Sequence, residues 1–466
     1  MSRHNQPKQE TRVGRHLWFD QALLASGWAE SVRISVADGR IDAISVGAAP
    51  GPGDEHHAVA LPGLCNVHSH AFQRGMAGLT ERRGPARDNF WTWRRLMYRF
   101  LDRLDPDDIQ AIAELAFAEM LETGFTRVGE FHYLHHDVDG RPYANPGELA
   151  ERIAAAAQST GIGLTLLPVF YAHGDFGGRP PSEGQRRFIR SVDEFGGLLE
   201  AGRAAAAALP DAVVGVAPHS LRAVTPDELG DVLAAAPAGP VHIHAAEQVG
   251  EVEACVAWSG ARPVEWLLDN MPVDERWTLI HATHLSEAET GRLAASGAVA
   301  GLCPMTEANL GDGIFPTEAF LAAGGRFGVG SDSNIIVDPA RELEMLEYAQ
   351  RLSHRARNLL GSTEGASTGA SVFRKALEGG AQSLGAGPGG IAEGAAADLV
   401  ALDTEHPSLV GRRGDELVDG WIFASRAGAI DKVWRRGELL IDRGRHRHKE
   451  RIVERYRRTL RKLLAS

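Results

Sequence analysis

Residues 64–70 read Leu64-Cys65-Asn66-Val67-His68-Ser69-His70, an apolar run that ends on two histidines, and seven comparable runs follow it. They are VGEFHY (128–133), LTLLPVFY (164–171), AVVGVAPHS (212–220), PVHIHAAE (240–247), WTLIHATH (277–284), AVAGLCP (298–304) and RFGVGSDS (326–333). Ala-, Leu- and Glu-rich helical stretches separate them, and this alternation argues for βα units and a parallel sheet. Eight such units before residue ~335 fit the roughly 250 residues of a (β/α)8 barrel of the TIM type. A doubly wound sheet is the alternative. It loses ground because no Gly-x-Gly-x-x-Gly follows a strand and no Gly-x-x-x-x-Gly-Lys-Ser/Thr loop is present.

On either side of these runs the texture changes. In RISVADGRIDAISVG (33–47) the pair Asp38-Gly39 separates two β-type segments, which is a hairpin signal. Short β-type runs return in GGIAEGAAADLVALD (389–403) and DKVWRRGELLIDRGR (431–445). The expected fold class is therefore α/β, a barrel over 61–385 with a small β-sandwich domain built from both chain ends, 1–60 and 386–445. The final segment, 446–466, contains KERIVERYRRTLRKLLA and is expected to be a basic-faced helix packed on the body.

A chain of 466 residues with 44% hydrophobic and 24% charged residues is ordinary for a globular protein of more than one domain. Its net charge of -12 opposes a sequence-independent hold on nucleic acid. The cysteines, Cys65, Cys255 and Cys303, are few and far apart, which suits a reducing compartment and buried thiols rather than a disulfide framework. No apolar stretch approaches the ~18 residues of a membrane span, so neither a membrane nor a nucleic acid is an expected partner and a cytoplasmic location is expected.

His68 and His70 stand at positions i and i+2 of a strand-like run, which turns both imidazoles to one face. Alone the pair means little. However, His244, His281 and Asp332 also stand at the ends of strand-like runs, and in a barrel the carboxyl ends of all strands open on one face. Three imidazoles and a carboxylate, His68, His70, His244 and Asp332, make a plausible set for a divalent ion with a position left open for water. His242, one pleat deeper than His244, and His284, beyond its strand, are expected to be structural.

His68-x-His70, His244-x-x-Glu247, His281 and Asp332, in that order, resemble the mononuclear deaminase branch of the amidohydrolase superfamily. The stretch 392–403, with Asp398, resembles the segment by which those proteins re-enter their small β domain. No lysine ends the fourth run, where the binuclear branch keeps a bridging lysine, so the resemblance implies one metal ion, with zinc expected. The zinc pattern of cytidine deaminases, with its Pro-Cys-x-x-Cys, is absent. Within the branch, NVHSHAFQRGMAGLTE (66–81), GEFHYLHH (129–136), APHSLRAVTP (217–226), HIHAAEQ (242–248) and PMTEANLGDGIF (304–315) are similar to the formimidoylglutamate deiminase family, and the similarity runs over essentially the whole chain. Met305 replaces an expected threonine.

The resemblance implies a small dicarboxylate substrate, a homodimer and hydrolysis of an amidine C–N bond in histidine degradation. Asp332 would accept a proton from water, Glu247 would pass one to the departing nitrogen, and His281 would orient the nucleophile or share the base role. Two carboxylates call for cationic anchors, for which Arg94 and Arg222 are the candidates, with Arg95 an alternative to Arg94. Gln73, Tyr133 and His219 are implied as substrate hydrogen-bonders. The competing readings are a deaminase or chlorohydrolase of the same branch acting on a purine, pterin or triazine ring, and a barrel retained only as a non-catalytic scaffold.

Overall fold

The computed structural model describes residues 15–85 and 88–465, so the expectations for residues 1–14 and 466 lie outside the described residues. The eight apolar runs form parallel strands. Leu64–Ser69 pairs with Phe125–His132, and that strand with Gly163–Phe170. Gly163–Phe170 pairs in turn with two short pieces, Val213–Val214 and Ala217–Pro218. Val241–Ala245, Trp277–His281, Val299–Leu302 and Arg326–Val329 make a second parallel sheet in chain order. Isolated parallel bridges join the two sheets at both seams, Val216 to Val241 and Ser220 to His244 at one, Ser69 to Asp332 at the other.

The strands Phe125–His132 and Gly163–Phe170 are buried at every position. That is why their sequences are continuous apolar runs without polar alternation. The run 212–220 becomes two pieces around Gly215, where an added Cβ would lie 2.4 Å from the Pro240 carbonyl oxygen. Only a glycine lets the backbones pass so closely. Helices between the strands start on Ser/Thr-x-x-Glu boxes: Ser191, Thr225 and Ser286 each accept from the backbone N–H of Glu194, Glu228 or Glu289, whose side chain returns the bond.

The β-type segments at the two chain ends meet. Their eight strands lie on one hydrogen-bonded path, and Leu399–Leu402 runs antiparallel to Glu55–Pro62 where the C-terminal half joins the N-terminal half. The two halves are thus joined edge to edge rather than paired as separate sheets. Phe19, Val32, Ile34 and Ala60 share a core with Ile391, Leu399 and Trp434. The expected hairpin turns at Asp38-Gly39 with both residues at positive φ, 50° and 80°, the combination a two-residue type I′ turn requires.

Arg435, 4% exposed, ties this sheet to the parallel strands. Its guanidinium donates to Asp398 Oδ1 at 2.9 Å, to the Thr126 carbonyl at 3.1 Å and to Asp211, which also accepts from Arg127 at 2.7 Å. Asp398, singled out by its sequence context, is therefore a joint between the sheets. Arg435→Met leaves Asp398 and Asp211 without this shared partner, and a loss of about 3 kcal/mol is expected, read as a lower urea midpoint.

The C-terminal helix runs Lys449–Ala465, beginning three residues later than expected because Arg445–His446 still pairs with the strand Glu438–Asp442. It packs on the helix Pro106–Thr123, and its basic face is matched there: Arg455 donates to buried Glu114, Lys462 to Asp105 and Asp108, and Lys449 to Glu122. Among the described residues no helix is long and apolar enough to cross a membrane.

Burial holds the imidazoles of His132 and His446 down to about 3 and about 4, from an ordinary 6.5. Below pH 6.5 the unfolded chain binds protons there that the folded chain refuses. The thermal midpoint is therefore expected to fall as pH drops from about 6.5 to about 4, and His446→Asn to flatten that slope.

Candidate active site

The ends of the parallel strands bring the predicted residues together. His68 Nε2 lies 3.2 Å from His70 Nε2 and 3.1 Å from His244 Nε2, and Asp332 Oδ1 lies 3.5 Å from the first and 3.3 Å from the second. Two of the opposite ring nitrogens are occupied, His70 Nδ1 donating to the Phe131 carbonyl and His244 Nδ1 to the His219 carbonyl, both at 3.0 Å, while His68 Nδ1 is buried without a hydrogen-bond partner among the described residues. These bonds put the proton on Nδ1 and leave Nε2 lone pairs converging. Burial pushes the His68 and His244 imidazoles well below their ordinary range and lowers His70. Neutral nitrogens facing one another around a carboxylate oxygen repel unless a cation sits among them, so this donor set fits a divalent ion.

The backbone that carries these groups is strained. Ala246, His281, Ala282, Asp332 and Asn334 all have φ between 42° and 66°, a left-handed region that costs non-glycine residues about 1 kcal/mol or more each. The surroundings hold them there. Asp332 N donates to the His68 carbonyl at 2.9 Å and His70 N to the Asp332 carbonyl at 3.0 Å, which laces the first strand to the eighth. Asn334 Nδ2 donates to Ser69 Oγ, His70 O and Asp332 O, while Asn66 and Ser331 bond across the same seam. Glu251, buried, accepts from the backbone N–H of both Ala246 and Glu247.

His281 Nε2 stands 3.8 Å from Glu247 Oε1 and 3.8 Å from Asp332 Oδ2. Burial opposes charge on His281, but the carboxylates of Glu247, Glu307 and Asp332 outweigh it and push the ring up to about 10. Glu247 is raised to about 7, by burial first, with His281 and Arg222 pulling the other way. A carboxyl so placed can hold a proton near neutral pH and release it.

A pocket opens over this centre, and all five expected substrate residues, Gln73, Arg94, Tyr133, His219 and Arg222, line it. Arg222 is 6% exposed, its Nε has no hydrogen-bond partner, and it forms no ion pair among the described residues. Burial opposes its charge, Glu251 and Glu247 offset that, and the unpartnered Nε–H leaves a buried donor for an anion. Arg94 is half-buried and stacks over Trp91 at 4.5 Å, with Arg222 5.7 Å from the same ring, so the two cations flank one aromatic. Arg95 is exposed and does not line the pocket. Gln73 Nε2 donates to Tyr133 Oη at 3.0 Å, leaving its own buried Oε1 unpartnered. His242 Nε2 and His284 Nε2 donate to the carbonyls of Ser383 and Asp312 and face away from the pocket, as expected of structural histidines.

Sequence reasoning missed the aromatic part of the lining, Phe90, Trp93, Tyr98, Tyr171 and Phe188. It also missed Glu251, Glu307 and Asn334. The available signal for Glu307 was its place in the 304–315 string just past a strand end, the position type that drew attention to Glu247 and Asp332.

Residues 59–440 match the amidohydrolase family, and residues 17–58 match the N-terminal domain of formimidoylglutamate deiminase HutF. The formimidoylglutamate deiminase of Pseudomonas aeruginosa is 49% identical over 450 residues, 96% of this chain and 99% of that one. A 5-methylthioadenosine/S-adenosylhomocysteine deaminase of Natronomonas pharaonis is 28% identical over 84% of this chain and 83% of its own. Among solved structures, an amidohydrolase from Brucella melitensis superposes with a TM-score of 0.94 at 55% identity, covering 97% of this chain and 100% of that one.

Proposed function

This chain belongs to the amidohydrolase family and, within it, to the formimidoylglutamate deiminases, and on that premise we propose that it hydrolyses N-formimidoyl-L-glutamate to N-formyl-L-glutamate and ammonia in histidine degradation. The observation that carries the substrate is Arg222, a buried guanidinium whose Nε has no hydrogen-bond partner among the described residues, in the same pocket as the His/Asp centre. We read the parallel strands as a (β/α)8 barrel over 61–385, the end segments as its small β domain, and the protein as a cytoplasmic homodimer.

Amidohydrolases are metal-dependent, and His68, His70, His244 and Asp332 are the residues proposed to hold the ion, one per chain and zinc by the chemistry of the donors. Such an ion lowers the pKa of water and so supplies a nucleophile at neutral pH. The chain's own groups do the rest. Arg222 and Arg94 bind the two carboxylates, while Gln73, Tyr133 and His219 hold the amidine over the centre. Asp332 takes a proton from the attacking water, whose oxygen bonds to the amidine carbon. The proton held by Asp332 passes to the terminal nitrogen as its C=N double bond becomes single. Glu247 then delivers a second proton to that nitrogen as the remaining C–N bond breaks and ammonia leaves, and the hydroxyl proton returns to Glu247 as the formyl C=O forms. His281 directs the nucleophile through Nε2.

The aromatic lining favours a second reading, deamination of a flat purine, pterin or triazine ring, which would stack there. Two arginines in a small pocket weigh for the dicarboxylate. Ammonia release from formimidoyl-L-glutamate, formimidoyl-L-aspartate and guanine separates the two. Turnover is expected on the first and weakly on the second, and turnover of guanine alone would overturn the proposal.

A further inference from the structure

Glu307 sits on the short helix Pro304–Leu310 that follows the seventh parallel strand, and it is buried without lining the pocket. Its Oε1 stands between two donors, His281 Nδ1 at 3.2 Å and the Cys303 backbone N–H at 2.9 Å. A carboxylate oxygen that receives a backbone N–H and a ring nitrogen can only accept, so Nδ1 of His281 carries a proton whether the ring is neutral or charged. The other nitrogen then points into the site, midway between Glu247 and Asp332. Turning the ring over would place a carbon against Glu307 and take Nε2 away from both carboxylates.

His281, Cys303 and Glu307 are also a triplet with the donor types of a metal site, within 4.8 Å of one another. Two of the three are already joined by a hydrogen bond, and burial pushes the Cys303 thiol well above its ordinary range. A proton fits that junction better than a second cation.

We propose that Glu307 is the positioning residue of His281, fixing its ring orientation through the Nδ1–H bond so that Nε2 faces the reacting groups. It does not line the pocket, and it reaches the reacting groups through His281, its other side-chain bond being to the Cys303 backbone. The inference rests on the deiminase reading only for its turnover measurement.

The test compares wild type, Glu307→Ala and Glu307→Gln for kcat, KM, metal content and the Nδ1–H resonance of His281. The resonance is observed in ¹⁵N-histidine-labelled protein and assigned by its loss in His281→Asn. Gln keeps an acceptor at Oε1, and Ala does not. In Glu307→Ala the resonance is expected to vanish and kcat to fall on the order of 100-fold, with KM within about threefold and metal content unchanged. Glu307→Gln is expected to keep the resonance and stay within about tenfold of wild-type kcat. Wild-type kcat in the Ala variant overturns the proposal, as does equal loss in both variants or no such resonance in the wild type. A wild type that shows the resonance but releases no ammonia from formimidoylglutamate sinks the deiminase reading and leaves the positioning of His281 standing.

Discussion

Asp332→Asn is expected to remove turnover by 10³-fold or more while leaving the fold intact, on the order of the rate general base catalysis contributes plus the lost charge beside the histidines. The substitution is isosteric. Asparagine also tolerates the left-handed backbone at this position, where φ is 42°, better than most residues. The backbone bonds to His68 and His70 that close the first strand onto the eighth do not involve the side chain and persist. What is lost is the anionic oxygen 3.3 Å from His70 and 3.5 Å from His68, together with the proton acceptor. Steady-state kinetics with the thermal midpoint on the same samples checks this: an unchanged midpoint with near-wild-type kcat would remove Asp332 from the chemistry.

Arg222→Met is expected to weaken binding far more than it changes stability. Truncating one partner of a buried charge pair costs about 3 kcal/mol, which in KM for a carboxylate substrate is a rise on the order of 100-fold. In the free protein, however, the guanidinium is buried and without an ion-pair partner among the described residues. Removing it relieves a desolvation cost but also loses the attraction of Glu251 and Glu247, which outweighs burial and raises the Arg222 pKa, so the thermal midpoint of the substrate-free variant is expected to change little. A lowered midpoint with unchanged KM would make Arg222 a structural residue.

The positions of His68, His70, His244, His281 and Asp332 were legible because a strand that ends on a polar residue announces both its direction and its end. The common direction of the parallel strands then does what sequence spacing cannot, by bringing His68, His70, His244, His281 and Asp332 to one face. The second histidine pair illustrates the same rule in reverse: His242 and His284 carry the same chemistry but lie one pleat deep or past the strand, and the structure ties both to carbonyls.

The supporting groups were not legible. Glu251, Glu307 and Asn334 act on neighbours through bonds that exist only once loops from different strands have met, and a glutamate on a short helix looks the same whether or not a histidine lies beneath it. The choice of Arg94 over Arg95 had the same character. Both stand on one amphipathic helix, Phe90–Leu101, and only its seating over the pocket, with Arg94 stacked on Trp91, separates them. Much of the aromatic lining escaped because Phe188 comes from a loop after the third strand, where no periodicity marks it, and Tyr171, though it ends the run 164–171, carries no metal-ligating group to single it out.

The most direct measurement is product analysis of N-formimidoyl-L-glutamate turnover in ¹⁸O-labelled water, on protein stripped of metal by a chelator and again after zinc is restored. The account predicts no turnover in the stripped protein. With zinc it predicts ammonia in equal amount to N-formyl-L-glutamate, the label in the formyl oxygen, and a single ion per chain. Undiminished turnover after stripping, or no ammonia from the zinc-replete protein, would contradict it.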